Sequence, residues 1–329
     1  MIVMYITDAR DQHIRNVLTT SAMPMGSHNR YRYDRRWIDS QLWQRWDRDG
    51  LVGDRVLVSY LEGNTGNLEN ARAFPVRYGR VIRSEVKGSF GVLDVALEDF
   101  TKAVIPPELR ADSEAGVMSI DQPRNGRFVV EHEVGDPEEA RDVAAWQATV
   151  SALGRMDTYR DSSFIFVEQL GRAADGKPIA VNSESHFDLQ PKSLIELSLH
   201  VLMPRDRAPL HTYSVLTDTS LLRSAQPAQL HFGHRFSTER LLLQTPDKAQ
   251  RALTYIYILP EPGTRGPEVR LLVDLREPAS RRALAFGVPG SAAAVAASAG
   301  VLPAETPLWL RFVMVAAGSA GLAAASARR

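Results

Sequence analysis

The chain has 329 residues, 39 Lys+Arg against 39 Asp+Glu for a formal net charge of +0, and no cysteine. A chain of this length is expected to form about two domains plus an appendage. The balanced charge excludes a global field toward nucleic acid or anionic lipid, and the lack of cysteine excludes disulfides, thiolate metal sites and a cysteine nucleophile.

The amino-terminal region is patterned as short strands. Its first apolar run, in "MIVMYIT", is too short for a signal peptide and has no basic residue ahead of it, so we expect the folded part to lie in a reducing cytoplasm. Alternation over 54–63 predicts a half-buried strand, and 75–83 and 90–97 predict a hairpin joined by a glycine turn. With "RYRYDRRWI", these segments predict a small N-terminal β-barrel or sandwich over residues 1–105.

One of these segments, "HNRYRYDRRW", interleaves arginines with aromatic residues. Guanidinium groups beside rings suit a protein-binding face, and they also suit single-stranded nucleic acid. Strand alternation offers a third interpretation, in which the tyrosines belong to the core and a charged row faces water. The candidate residues of the binding face are Arg30, Tyr31, Arg32, Tyr33, Arg35, Arg36 and Trp37.

A polar stretch at 106–126, rich in proline, acidic and small residues, predicts a linker or mobile loop. The strongest helix signal of the folded part follows it. Asp136 can cap this helix and Pro137 suits its first position. The apolar residues recur at spacings of three and four, which predicts one stripe packed on a sheet. They are Val143, Trp146, Val150 and Leu153.

From residue 162 onward, short alternating segments return in a regular series. In "SLIELSLHV" the apolar side chains face one way, and Glu196, Ser198 and His200 face the other. One buried face per strand and connections of modest length favour an antiparallel arrangement. We therefore predict a mainly β protein whose second domain, 127–277, is an antiparallel β-sandwich with one packed helix.

The sequence contains no motif that names a reaction. His186 stands among carboxylates, but no nucleophile elbow accompanies it. The three-residue spacing of His231 and His234 would point their imidazoles to opposite faces of a strand. We therefore assign no catalytic residue, metal or cofactor. Two alternatives stay open, a nucleic-acid-binding β-barrel protein and a hydrolase or nuclease whose site is assembled from His186, Asp188, His231 and His234.

Two apolar runs close the chain, 283–302, which has no charge, and 308–327, whose one charge is Arg311. As helices, each would match the hydrocarbon thickness of a bilayer. A short polar turn separates them and arginine pairs lie at the outer ends, which the positive-inside rule associates with both termini in the cytoplasm. We predict a two-helix transmembrane hairpin over 281–329. The alternatives are a pair of alanine-rich helices in water and an irregular tail.

Several residues of this hairpin have anchoring or packing roles in the prediction. Trp309 and Arg311 would lie at the membrane interface. Small residues spaced four apart would let helices approach closely within the hairpin or between chains, so a homo-oligomer is expected to form through it. These small residues are Gly287 with Ser291 and Ala317 with Gly321.

Together these patterns favour a non-enzymatic, membrane-tethered cytoplasmic protein that acts as a binding protein, sensor or effector. The β-rich body would recognise a partner, and the hairpin would anchor it in the inner (cell) membrane or act on that membrane. The expected partners are the lipid bilayer and an unidentified protein. Nucleic acid is not an expected partner, because the net charge is +0.

Overall fold

Strands dominate the computed structural model of this protein, which confirms the mainly β prediction. The structure describes residues 1–7, 10–47, 50–62, 72–101, 126–131, 139–140, 143–203, 211–218, 220–224, 229–232, 235–247 and 252–276. The first strands are β1 (Ile2–Thr7), β2 (His28–Asp34), β3 (Arg55–Glu62), β4 (Arg72–Lys87), β5 (Phe90–Leu97), β6 (Phe100–Thr101), β7 (Val129–Glu131) and β8 (Glu139–Ala140). The later strands are β9 (Phe164–Arg172), β10 (His186–Leu189), β11 (Leu194–Leu202), β12 (His211–Thr217), β13 (Arg223–Ser224), β14 (Gln229–Phe232), β15 (Phe236–Gln244), β16 (Ala252–Pro260) and β17 (Val269–Leu275). The helices are α1 (Asp11–Ala22), α2 (Ser40–Trp46) and α3 (Val143–Leu153), with a short 3₁₀ turn at Arg35–Trp37.

The first sheet has six strands in the order β2-β5-β4-β3-β1-β7 and is curved as a half-barrel. The predicted hairpin is confirmed, since β4 pairs with β5 in antiparallel register. Gly88 lies in its turn with a φ of 63°, which glycine adopts without a steric penalty. β1 pairs with β3 in parallel register, which requires a crossover. The chain between them contains α1, a helix that the sequence analysis did not predict, and α1 packs against β1, β4 and β9.

The second sheet, β10-β17-β16-β12-β14, and the third sheet, β13-β15-β11-β9, form a β-sandwich. One hydrophobic cluster fills the space between them. The alternation in β11 is as predicted, because Ile195, Leu197 and Leu199 are all buried in this cluster. Most strand pairs in these sheets are antiparallel, and β10 pairs in parallel with β17.

The outer face of the third sheet packs against α3. This is the predicted helix except at its start, which was predicted wrongly, because Glu139–Ala140 form strand β8 paired with β6. Trp146 is fully buried, and its ring stacks on Phe166 of β9 with centroids 5.7 Å apart. A single hydrophobic cluster contains these rings together with residues of the first sheet. The capping residues Asp136 and Pro137, and the predicted linker apart from Gly126, lie outside the described residues. The domain boundaries at 105 and 127 stay a prediction.

Candidate binding face

The tyrosines of the arginine-aromatic segment point inward. Tyr31 is 4% exposed, shares a hydrogen bond of 2.9 Å with Thr20 Oγ1, and accepts one of 3.0 Å from Asn29 Nδ2. Tyr33 packs against two core clusters, and its hydroxyl donates to the carbonyl oxygen of Tyr5 at 3.3 Å. Tyr31 is therefore in the core and Tyr33 is half-buried against it, as the third interpretation of this segment expected.

Arg30 is exposed and engaged with an acidic residue. Its Nε and Nη2 donate to the two carboxylate oxygens of Asp94 on β5 at 2.6 and 2.8 Å. This bidentate contact holds the pKa of the Asp94 carboxyl below its usual range. Arg30 is consequently less available to a partner than the arginines that follow it.

The remaining candidates, Arg32, Arg35, Arg36 and Trp37, are all exposed and close together in the chain, and we call them the Arg-Trp face. Each guanidinium lies over an aromatic ring. The Cζ atom of Arg32 is 3.6 Å from the ring centroid of Phe90, that of Arg35 is 5.4 Å from Trp43, and that of Arg36 is 4.8 Å from Trp37. These are cation–π distances, so the rings restrict where the cations can lie.

The three arginines of the Arg-Trp face differ in their contacts with acidic side chains. In the part of the chain that the structure describes, no ion pair joins Arg32 or Arg35 to an acidic side chain. Arg36 Nε lies 3.9 Å from an oxygen of Asp34, and that same oxygen accepts the backbone N–H of Arg36 at 3.1 Å. The Arg-Trp face therefore presents positive charge that acidic neighbours offset only in part.

The backbone beneath the face is held from two directions. Asp39 caps α2 by accepting the backbone N–H of Gln41 at 2.8 Å. From the strand region before β7, Arg127 Nη1 donates to the carbonyl oxygens of Arg36 at 2.6 Å and Ile38 at 3.1 Å.

Trp37 is held by Phe128, the residue that follows Arg127 in the chain. The backbone N–H of Phe128 donates to the Trp37 carbonyl oxygen at 2.7 Å, and the two rings meet edge to face at 5.1 Å. Trp37 keeps 36% of its surface exposed. Its ring is thus both anchored and accessible.

The histidines of the hydrolase alternative do not meet in the described residues. His186 and Asp188 lie on β10 and His231 lies on β14, at opposite edges of the second sheet. Three strands separate them, a span of about 19 Å at the usual strand spacing. His234 lies outside the described residues. Among the residues that are described, no group of three histidine or acidic side chains is arranged to hold a metal ion.

A polar triplet that the sequence analysis missed crosses the outer face of the third sheet. It consists of Glu168, His200 and Thr238, on β9, β11 and β15. His200 Nε2 lies 2.9 Å from Glu168 Oε2, and His200 Nδ1 lies 3.0 Å from Thr238 Oγ1. The imidazole is 7% exposed and stacks on the ring of Phe236 at 6.0 Å. Alternation placed His200 on the polar side of β11, but only the strand register supplies its partners.

The triplet has the hydroxyl, imidazole and carboxylate of a hydrolase triad, but its carboxylate is more exposed than the carboxylate of such a triad. In such a triad the carboxylate is buried and orients the imidazole. Here the side chain of Glu168 is 43% exposed and that of His200 is 8% exposed. We therefore assign this triplet to cross-strand packing and not to catalysis.

The predicted membrane hairpin lies outside the described residues, as do its anchoring and packing residues Gly287, Ser291, Trp309, Arg311, Ala317 and Gly321. Within the described residues, no helix has the length and apolar character needed to cross a membrane. The hairpin stays a prediction from the sequence.

Comparison with known proteins gives no family for this chain. No model of a known protein family matches it, and no curated protein matches its sequence.

Proposed function

We propose that this chain is a non-enzymatic, membrane-tethered binding protein. The Arg-Trp face is its recognition surface, and segment 281–329 attaches the β-rich body to a membrane. The observation that carries the proposal is the arrangement of Arg32, Arg35 and Arg36, whose exposed guanidinium groups each lie over an aromatic ring.

The physical chemistry of the face supports recognition. A free arginine side chain loses rotamer entropy when a partner immobilises it, and a ring that already holds the guanidinium reduces that loss. Arginine and tryptophan are also enriched among the residues that dominate binding free energy at interfaces. The hydrogen bonds from Arg127 to the backbone of the segment keep the face in place before a partner arrives.

Features of the amino-acid sequence support the tether. Each apolar run, 283–302 and 308–327, has the length of a membrane-spanning helix, and Arg311 lies near the start of the second. The arginine pairs at the outer ends favour a cytoplasmic location for both termini. The β-rich body would then lie in the cytoplasm against the inner (cell) membrane. Association of hairpins through their small residues would bring several bodies together, which suits a sensor or effector.

Membrane extraction tests the tether. The full chain and a chain truncated after Glu277, each fused to the same reporter, are expressed and their membranes washed with alkaline carbonate. We expect the full chain to stay in the membrane pellet and the truncated chain to appear in the supernatant. Equal partition of both chains into the supernatant contradicts the proposal.

A further inference from the structure

We infer that the Arg-Trp face binds the anionic headgroups of the membrane that the tail enters. This inference rests on the proposed function and names the partner class of its recognition surface. The body would then have two attachments to one bilayer, an apolar one through segment 281–329 and an electrostatic one through Arg32, Arg35 and Arg36.

The donor chemistry of the face suits phosphate groups. A guanidinium presents a planar set of N–H donors that matches phosphate oxygens in pairs. Arg32 and Arg35 have no ion pair with an acidic side chain of the described residues, so these donors are not occupied by a carboxylate. Exposed Trp37 adds a side chain that favours the headgroup level of a bilayer.

The same geometry argues against single-stranded nucleic acid. Base stacking needs an open aromatic face. Here Arg32 lies 3.6 Å from the centroid of the Phe90 ring and Arg36 lies 4.8 Å from that of Trp37, so each ring has a guanidinium over one face. Nucleic-acid affinity also grows with the number of phosphates neutralised, and a face of three arginines on a chain of net charge +0 neutralises few.

Because the chain is tethered, a face of three arginines is enough for contact with the headgroups. Once the tail is in the bilayer, the contact between face and headgroups is intramolecular and occurs at a high effective concentration. Each arginine close to an anionic leaflet favours the contact about fivefold, so three of them favour it by on the order of 100-fold at low salt. Screening by salt weakens this attraction.

Because the chain has no cysteine, a single introduced cysteine can carry a label that reports the contact. We choose Ser40→Cys, an exposed position at the start of α2 that follows the Arg-Trp face, and Ser220→Cys, an exposed position in the turn after β12, as the reference site. The full chain, labelled with a fluorophore, is reconstituted into vesicles that carry a headgroup quencher. One set contains phosphatidylcholine alone, and the other also contains phosphatidylglycerol.

The expected result is quenching at position 40 only in the phosphatidylglycerol vesicles, with loss of that quenching at high salt and in the Arg32→Gln/Arg35→Gln variant. Arg270→Gln is the matched control, because Arg270 is also exposed and lies 3.8 Å from the ring centroid of Tyr255 on another sheet. It is expected to keep the quenching. Urea unfolding of each variant checks that its fold is retained.

Two outcomes distinguish a failure of this inference from a failure of the tether. If the chain floats with both kinds of vesicle but position 40 is quenched no more than position 220, the inference is overturned and the tether stands. If the chain floats with neither, both are overturned. A third outcome, binding of a fluorescent oligothymidylate that depends on Arg32 and Arg35 without any preference for phosphatidylglycerol, overturns the inference in favour of nucleic acid.

Discussion

Arg77 Nη1 donates a hydrogen bond of 3.1 Å to the carbonyl oxygen of Thr20 in the last turn of α1. The carbonyls of a last helical turn have no partner within the helix, and the last turn of α1 contains no basic residue of its own. Arg77, from β4, supplies the positive charge that favours this end of the helix.

Arg77 makes further contacts close to the end of α1. It also donates to the carbonyl oxygens of Glu98, at 2.7 Å, and Met23, and it lies 4.5 Å from the ring centroid of Phe100. Arg77 is 1% exposed, and burial lowers its pKa. This one side chain therefore connects α1, β4 and the strand end that follows β5.

Replacing Arg77 with Met is expected to lower the free energy of unfolding by about 3 to 5 kcal/mol, because three buried carbonyls lose their donor. Urea unfolding followed by circular dichroism measures this. Arg80→Met is the control, since Arg80 has a 52% exposed side chain and its ion pair with Glu98 is on the surface. A surface pair contributes less than about 1 kcal/mol. Equal losses in the two variants would contradict the role assigned to Arg77.

Gly266→Ala is expected to destabilise the protein by about 1 to 3 kcal/mol through overpacking. A Cβ atom at this position would lie 1.7 Å from Tyr213 Oη and 2.8 Å from Ser163 Oγ. Those two hydroxyls share a buried hydrogen bond of 2.6 Å, which the added methyl would displace. Gly171→Ala is the matched control, because its Cβ would come no closer than 3.4 Å to a neighbour. Thermal unfolding midpoints of the two variants decide between these expectations.

The buried phenol of Tyr31 is expected to lower the free energy of unfolding at alkaline pH. Burial raises the pKa of Tyr31 from 10.0 to about 12. Between these values the unfolded chain has released the phenol proton and the folded chain keeps it, so the free energy of unfolding decreases as pH rises, by about 3 kcal/mol in all. Unfolding free energies measured from pH 9 to about pH 12 should decrease less steeply for Tyr31→Phe than for the natural chain. Parallel curves would show that Tyr31 does not cause the decrease.

Variants of His200 distinguish the contribution of ring stacking to stability from that of the hydrogen bonds of the polar triplet. His200→Phe keeps an aromatic ring between Phe236 and Phe166, and water can satisfy the half-exposed partners, so we expect a loss of at most about 1 kcal/mol in unfolding free energy. His200→Ala removes the ring and is expected to lose about 2 to 4 kcal/mol. A loss from His200→Phe as large as that from His200→Ala would mean that the hydrogen bonds, and not the stacking, are what the fold needs.

Where one face of a strand lines the sandwich core, the alternation of apolar and polar residues was enough to predict that strand. In β11 and β17 the apolar side chains alternate with polar ones, because one face meets the sandwich core and the other does not. The glycine turn between β4 and β5 was also predicted, because the turn residues themselves indicate a hairpin. The stripe of α3 was readable because its apolar residues repeat at helical spacing.

Helix α1 was not predicted, although Ile14, Val17 and Leu18 recur at spacings of three and four along it. The helix stood between strand patterns, and its polar and β-branched residues weaken the helical propensity. The Arg-Trp face was recognised in outline only. Alternation separated Tyr31 and Tyr33 from Arg30 and Arg32, but it did not predict that Arg30 would be paired with Asp94 while Arg32 lies over a ring.

The sequence by itself determined the strand-rich class, the apolar face of the alternating strands, and the two apolar runs at 283–302 and 308–327. These follow from local periodicity and from local length, which each segment carries in its own residues. Only the tertiary structure decided that Arg77 would donate to carbonyls at the end of α1 and at Glu98, that His200 would meet Glu168 and Thr238, and that His186 and His231 would lie at opposite edges of a sheet. The physical reason is that strand order and register arise from contacts between residues far apart in the chain, and no single segment contains that information.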